Sequence, residues 1–393
     1  MPSPTSGPPV VGTMGMFIVD TFLYLDSTTG QSRGDGGKGS ALGGGGLYFA
    51  VGARVWLDPG QIRMVIDRGS DFEPEWQTTL DRFDDNDAGM WAWRQRKDGL
   101  TTKAVNVYRG DQRSFEYLTP KLRLDPRDLV SPTSPDLPHW VHCICAPRRA
   151  MEILDEIDAI DAKGKRKEGG KGTKVCWEPI PDSALPENLE ECLQVMRRVD
   201  VFSPNHEEAA SFLSVDSGLV SVPSPLASTA QGAAVRQAHL THLARGFKAR
   251  FDEASSQISG GSDRPRCPLI VIRGGAAGSC VLYEREPGQA SIEADVPAYH
   301  TAATSKAVVD VTGGGNSYLG GLTAWLSMHQ PPADTEEDTR QWLRGALGRG
   351  AVSASFAIEQ LALPRLEQEQ GQGETWNGES PQIRLEELLN REA

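Results

Sequence analysis

Past residue 139 the apolar positions switch repeatedly between short continuous runs and a 3.6-residue spacing. Runs at 139–146, 175–179, 199–203, 269–273 and 280–283 suit buried strands, while 150–160, 185–198 and 206–213 show one apolar face, as helices do. Strand then helix, repeated, predicts a mostly parallel sheet with helices on both faces. Upstream the pattern is less regular. Residues 11–25 read as a first buried strand. Residues 26–46 are rich in Gly, Ser, Thr and Asp, which predicts a loop. That loop ends in four glycines, 43–46, and leads into the apolar run 47–57, a glycine turn opening a helix. Residues 61–120 predict a small, irregular β-rich region, with strands at 62–66, 102–108 and 114–118 and a turn at 109–111.

Polar segments divide this pattern. Residues 1–10, rich in Pro and Ser, read as a disordered leader. Residues 163–174, basic and Gly-rich, and 214–232, rich in Ser, Val and Ala, read as solvated insertions. Beyond Leu366 the chain turns to Gln, Glu and Gly, so 367–393 read as a polar C-terminal tail with one short helix at 383–389. What remains, 11–366, is the length of one large α/β domain carrying insertions.

Composition narrows the function classes. Of 393 residues 38% are hydrophobic and 24% charged, an ordinary balance for a globular protein. A net charge of -13 argues against a nucleic-acid binder, because phosphate backbones need Lys and Arg footprints. It leaves room for a locally positive pocket. The 6 cysteines sit mostly in apolar surroundings without a Cys-x-x-Cys pair, the pattern of buried reduced thiols. No apolar run approaches 18 residues, and the N-terminus lacks a basic stretch followed by an apolar core. The expectation is a cytoplasmic protein without membrane partners.

Three constellations carry chemistry. The first runs from Val308 to Ser317, with Asp310, Thr312, Gly313, Gly314, Gly315 and Asn316 at its centre, and a long apolar helix follows. Glycine amides without β-carbons can wrap an anion, and the helix mouth adds partial positive charge. A glycine triplet alone more often makes a plain loop; the strand, the carboxylate and the helix around it favour a ligand site. The second is Ser203-Pro204-Asn205-His206-Glu207-Glu208, where Asn205 and Glu208 share a helical face. They could hold metal-bound water near phosphates, or form an N-cap with an acidic first turn. The third is Arg273 followed by a turn containing Gly275 and Gly278, which is either a tight hairpin or a platform for a flat ligand.

Order and spacing of these three resemble the PfkB carbohydrate kinases, the ribokinase family. The family's C-terminal signature, Asp-Thr-x-Gly-Ala-Gly-Asp or close variants, is matched by Asp310-Val311-Thr312-Gly313-Gly314-Gly315-Asn316. Its Asn-x-x-Glu motif is matched by Asn205 and Glu208, its Gly-x-x-Gly turn by 275–278, its Gly-Gly substrate motif by 43–50, and its first-strand Asp by Asp20. The variant signature and Trp177-Glu178-Pro179 look most like a fungal, maintenance-of-killer-like branch. The resemblance spans about residues 11–360 and is loosest before 140. It implies a three-layer α/β sandwich with a mostly parallel sheet and a small β-rich lid at about 61–120. It implies ATP-dependent phosphorylation of a hydroxyl on a sugar, nucleoside or related metabolite, with Mg²⁺ and a monovalent cation. Asp20, Gly44, Gly45 and Tyr48 would hold the acceptor. Arg273, Gly275, Gly278, Asp310 and Thr312 would hold the nucleotide, Asn205 and Glu208 the metal, and Gly313, Gly314 and Gly315 the anion hole. A lid of this size buries its own apolar face poorly, which predicts a homodimer through the lid.

Two positions depart from the family. The catalytic base is Asp there and Asn316 here, and Asn cannot accept a proton at neutral pH. The family's substrate-binding Asn is Tyr48 here. The alternative reading is therefore a catalytically silent protein that binds nucleotide or sugar as a regulator or scaffold.

Overall fold

The computed structural model describes residues 9–391 apart from 38, 85–86, 98, 110–111, 132–134, 164–171, 217–229, 258–264 and 369–372. Most of the expected leader, residues 110–111 of the expected turn and the centres of both expected insertions lie outside the described residues.

The chain starts with β1 (Val11–Thr13), β2 (Ile18–Leu25), β3 (Ser40–Gly43), α1 (Gly45–Arg54), β4 (Ile62–Arg68), α2 (Pro74–Asp81) and β5 (Trp91–Gln95). A hairpin follows, β6 (Lys103–Arg109) and β7 (Gln112–Tyr117). Then strands and helices alternate: β8 (Trp140–Ile144), α3 (Pro147–Asp161), β9 (Lys174–Glu178), α4 (Leu189–Met196), β10 (Val201–Phe202), α5 (His206–Leu213), α6 (Ala230–Ser256) and β11 (Leu269–Arg273). The last part contains β12 (Ser279–Tyr283), β13 (Ile292–Val296), α7 (Gly314–Met328), α8 (Glu336–Ile358), β14 (Leu366–Gln368), β15 (Glu374–Trp376) and α9 (Pro381–Asn390).

Nine strands form the main sheet in the order β13-β12-β11-β10-β9-β8-β1-β4-β5, parallel from β11 to β5 and antiparallel at β12 and β13. Both faces are covered, so the strands are apolar on both sides. Alternate residues feed two cores: Val175 and Trp177 of β9 face one and Cys176 the other, and Ile270 and Ile272 of β11 oppose Leu269 and Val271. The six cysteines are free thiols, all buried except half-buried Cys145. Among the described residues no helix is long and apolar enough to cross a membrane.

The structure redraws three sequence expectations. The single strand expected at 11–25 is two. The chain leaves the main sheet after β1, and β2 joins β3, β6 and β7 in a separate four-stranded sheet of order β3-β2-β6-β7. Gly15 sits in the break, where a β-carbon would collide with the backbone of Gly46. The lid expected at 61–120 is consequently this sheet, drawn from 18–43 and 103–117. Residues 62–95 instead widen the main sheet, because Ile62, Met64 and Ile66 are buried beneath α1. The expected polar tail is folded: Trp376, Leu385 and Leu388 are buried, and the Arg384 guanidinium bonds Glu359, at the end of α8, at 2.7 Å.

Candidate active site

In the main sheet β1 runs on to β4 and β5 on one side, while β8, β9, β10 and β11 continue on the other. Such a reversal leaves a crevice at the carboxyl ends of β1 and β8. A cavity of about 230 Å³ lies there, lined by Gly15 and Met16 after β1, Ile144 and Cys145 after β8, Gly45 at the start of α1, and Tyr117 of the lid. A larger groove of about 710 Å³ lies along α2 and the segment before β14, and shares no residue with the cluster described next.

Beside the crevice α7 begins. Gly313 is its N-cap, at φ 76, and no side chain caps the helix. The Gly314 amide donates to the Val311 carbonyl at 3.2 Å, whereas the amides of Gly315 and Asn316 have no acceptor among the described residues. These are the orphan donors that every helix start must place somewhere. Neighbours make the glycines obligatory: a β-carbon at 313 would collide with the Tyr48 ring, and one at 315 with Nη1 of Arg273. The outer side of the turn meets solvent through Val309 and Val311, 60% and 68% exposed. Asp310 turns inward on its own loop, its Oδ1 accepting from the Thr312 amide at 3.0 Å and hydroxyl at 2.8 Å.

Strand ends supply a buried polar cluster under this helix mouth. Glu178, which closes β9, is 5% exposed and accepts from Nδ2 of Asn316 at 2.8 Å. Its other oxygen lies 2.9 Å from Nη1 of Arg273. His142 of β8 bonds Glu178 through Nε2 at 3.2 Å and Thr13 of β1 through Nδ1 at 2.9 Å, and its ring stacks on Phe49. A carboxylate only accepts, so His142 carries a proton on Nε2. Burial pushes the Glu178 carboxyl up, but the Arg273 guanidinium, with His142 and Asn316, outweighs it and holds the group below its ordinary range. Arg273 is itself 8% exposed, and its Nη2 donates to the Ser203 carbonyl at 2.9 Å.

The other expected site residues occupy distinct surroundings. Asn205 caps α5, its side chain accepting from the amides of Glu207 and Glu208, while Glu208 accepts from the Asn205 amide at 2.8 Å. Burial pushes the Glu208 carboxyl up to about 7 against the pull of Arg273, 4.0 Å away. The N-cap geometry expected of this motif is therefore present. Among the described residues no group of three or more His, Cys, Asp or Glu side chains is arranged to hold a metal. Gly278, at φ 83, approaches the Val296 carbonyl too closely for a side chain, whereas Gly275 is exposed with open space around it. Asp20 is buried beside Gly43 and accepts from Asn106 Nδ2 at 3.2 Å. Gly44 is at φ 94. Tyr48 is buried against Gly313. Gly45 links the two halves, since a β-carbon there would sit 3.2 Å from Asn316 Nδ2 and 3.1 Å from Ile144 Cδ1. Sequence reasoning assigned no role to Glu178, His142 or Thr13. The available signal was a carboxylate ending an otherwise apolar strand just before a proline.

No family model matches the chain. It is 29% identical over 387 residues to an uncharacterized protein of Schizosaccharomyces pombe, covering 95% of this chain and 91% of that protein. It is 29% identical over 384 residues to Protein MAK32 of Saccharomyces cerevisiae, covering 94% and 89%. Among solved structures, ribokinase from Giardia lamblia superposes with a TM-score of 0.60 at 14% identity, covering 98% of this chain and 100% of that one. Adenosine kinase from Schistosoma mansoni, in complex with 2-fluoroadenosine, does so at 0.56 and 13% identity, covering 91% and 97%. The chain thus has the ribokinase-like fold of the PfkB kinases, and its sequence similarity runs to the fungal, MAK32-like branch.

Proposed function

We propose that this protein transfers the γ-phosphoryl group of ATP to a hydroxyl of a small metabolite held in the crevice between β1 and β8. One observation carries the reading: the uncapped mouth of α7 presents two unsatisfied amides, Gly315 and Asn316, across Gly45 from that crevice. Anions bind such helix starts, and phosphoryl transfer depends chiefly on positioning and charge neutralisation. In this reading Gly313, Gly314 and Gly315 form the anion hole. Asp310, Thr312 and the turn at Gly275 and Gly278 frame the nucleotide, with Arg273 acting from behind Gly315. Asp20, Gly44, Gly45 and Tyr48 shape the acceptor side. The residues do not fit a resident metal, because Asn205 and Glu208 satisfy each other and the helix start. Mg²⁺ would come with the nucleotide, met by Asn205 and Glu208 only through water.

The transfer forms a bond from acceptor oxygen to γ-phosphorus, breaks the bond from that phosphorus to the β-bridging oxygen, releases ADP, and gives the hydroxyl proton to water. Neither Asn316 nor ion-paired Glu178 is set to take it. Losing a general base costs about 10²–10⁴-fold, so turnover is expected to be slow. The Asn316–Glu178 bond favours a second reading, a nucleotide or sugar binder without turnover. Calorimetry with ATP–Mg²⁺, followed by ADP release over a sugar and nucleoside panel, separates them. Heat with turnover supports the kinase, heat without turnover the silent binder, and no heat with any nucleotide defeats both.

A further inference from the structure

The cavity between β1 and β8 is small, and its charge is one-sided. Three basic side chains line it: Lys121, Arg123 and Arg149. Arg149 is neutralised by Asp125 and by Glu152, the latter at 3.0 Å. Among the described residues Arg123 has no acceptor, and the Lys121 ammonium lies 4.3 Å from the Tyr117 ring without a carboxylate partner. Both side chains are exposed toward solvent. On a chain of net charge -13, this small cavity thus carries two cations with no carboxylate partner among the described residues. The same wall holds Ala146, the N-cap of the 15-residue helix α3, which has neither a side-chain cap nor an acidic residue in its first turn. Its dipole therefore adds to the field of the two cations. Apart from Tyr117, the remaining lining is apolar or backbone, with Met14, Met16, Ile18, Ile144, Ile153 and Ile180 among it. Burial pushes the Cys145 thiol up to about 12, away from the thiolate form.

We infer that the acceptor is a compact hydroxylated anion, a sugar acid or sugar phosphate, whose negative group is held by Lys121 and Arg123 while its hydroxyl end reaches Gly45 beside Asn316. This rests on the kinase reading for the word acceptor, but the anion site stands on the cavity itself. At about 230 Å³ the space lies below the ordinary range for drug-sized ligands, which selects a short molecule. A neutral sugar would bring no counter-charge to the two cations, and beyond the Tyr117 hydroxyl the walls offer it few side-chain hydrogen bonds.

The test separates binding from turnover. Thermal-shift titration without nucleotide would use D-gluconate, D-ribose 5-phosphate, D-glucose and D-ribose at low salt, on the full chain. The anions should bind and their neutral counterparts should bind at least tenfold more weakly. Whichever of gluconate and ribose 5-phosphate binds tighter identifies carboxylate or phosphate as the preferred group. Lys121→Ala and Arg123→Ala should each weaken the anion about tenfold, and Lys121→Arg with Arg123→Lys should restore it. Exposed positions make these variants safe for folding, which circular dichroism would check. Equal binding of glucose and gluconate, no anion binding, or anion binding that survives the double alanine variant would each overturn the inference. Anion binding without ADP release in the presence of ATP–Mg²⁺ would uphold the anion site and defeat the kinase reading alone.

Discussion

Replacing Asn316 by Asp tests the cluster more sharply than it tests catalysis. The substitution exchanges an N–H that donates to Glu178 at 2.8 Å for a second carboxylate oxygen at the same place. A hydrogen bond to a charged group contributes about 1.5–3 kcal/mol, and that is lost. Two carboxylate charges about 4 Å apart at an effective dielectric of 20 repel by about 4 kcal/mol. Arg273 at 2.9 Å offsets part of this, leaving a cost of about 3–5 kcal/mol if both groups stay ionised. Sharing one proton is cheaper. The repulsion raises the carboxyl pKa of the pair, because binding one proton removes the like-charge contact. The sign follows. A carboxyl whose folded pKa is raised destabilises the native state as pH climbs through that value, and the penalty fades toward its unfolded pKa. Urea unfolding of N316D should therefore show a deficit of several kcal/mol at pH 8 that shrinks by more than half at pH 5. The double variant N316D/E178Q should lose this pH dependence. An N316D protein as stable as wild type at pH 8, or one with the same deficit at both pH values, would refute the geometry. The same reasoning predicts that any gain in phosphoryl transfer by N316D grows as pH rises and the pair gives up its shared proton.

Further predictions rest on separate observations. Gly313 and Gly275 both have positive φ, but only Gly313 abuts a ring, so Gly275→Ala should cost about 1 kcal/mol and Gly313→Ala at least twice that in thermal unfolding. Glu359, 13% exposed in its side chain, is held down to about 2 against burial by His300, Arg384 and Asn377. This stabilisation is present above the unfolded value near 4.5 and lost as pH falls toward 2, about 3 kcal/mol in all. Glu359→Gln should therefore destabilise the protein at pH 6 and remove that part of its acid sensitivity in urea titrations. Phe115 and Leu118 of the lid are 44% and 57% exposed, and a dimer through this sheet is expected. Sedimentation showing a monomer at micromolar concentration would count against it.

What the sequence made legible follows from range. The parallel sheet could be read because strands buried on both faces, such as Val175 to Trp177 and Leu269 to Ile272, are apolar without interruption, whatever their partners. The turn at Gly313 could be read because strand, glycine and helix adjoin in the chain. The lid could not be bounded, because residues 62–66 and 103–117 look alike as strands, and only their partners, β1 for one and β2 for the other, sort them into different sheets. The role of Glu178 was hidden for the same reason. Its role depends on His142, 36 positions away, and Asn316, 138 positions away.

Glu178 also bears on why Asn stands at position 316. An Asp there would face a buried carboxylate already committed to Arg273, and the pair could not both be ionised at neutral pH. An amide satisfies Glu178 without adding charge. The Asn is therefore matched to its cluster, and removing Glu178 should be required before a carboxylate at 316 can stay ionised near pH 7. Sequences that keep Glu at 178 and Arg at 273 should accordingly keep an uncharged residue at 316. A relative with Glu, Arg and Asp at these three positions, and with no fourth basic side chain against them, would show that the coupling does not constrain the site.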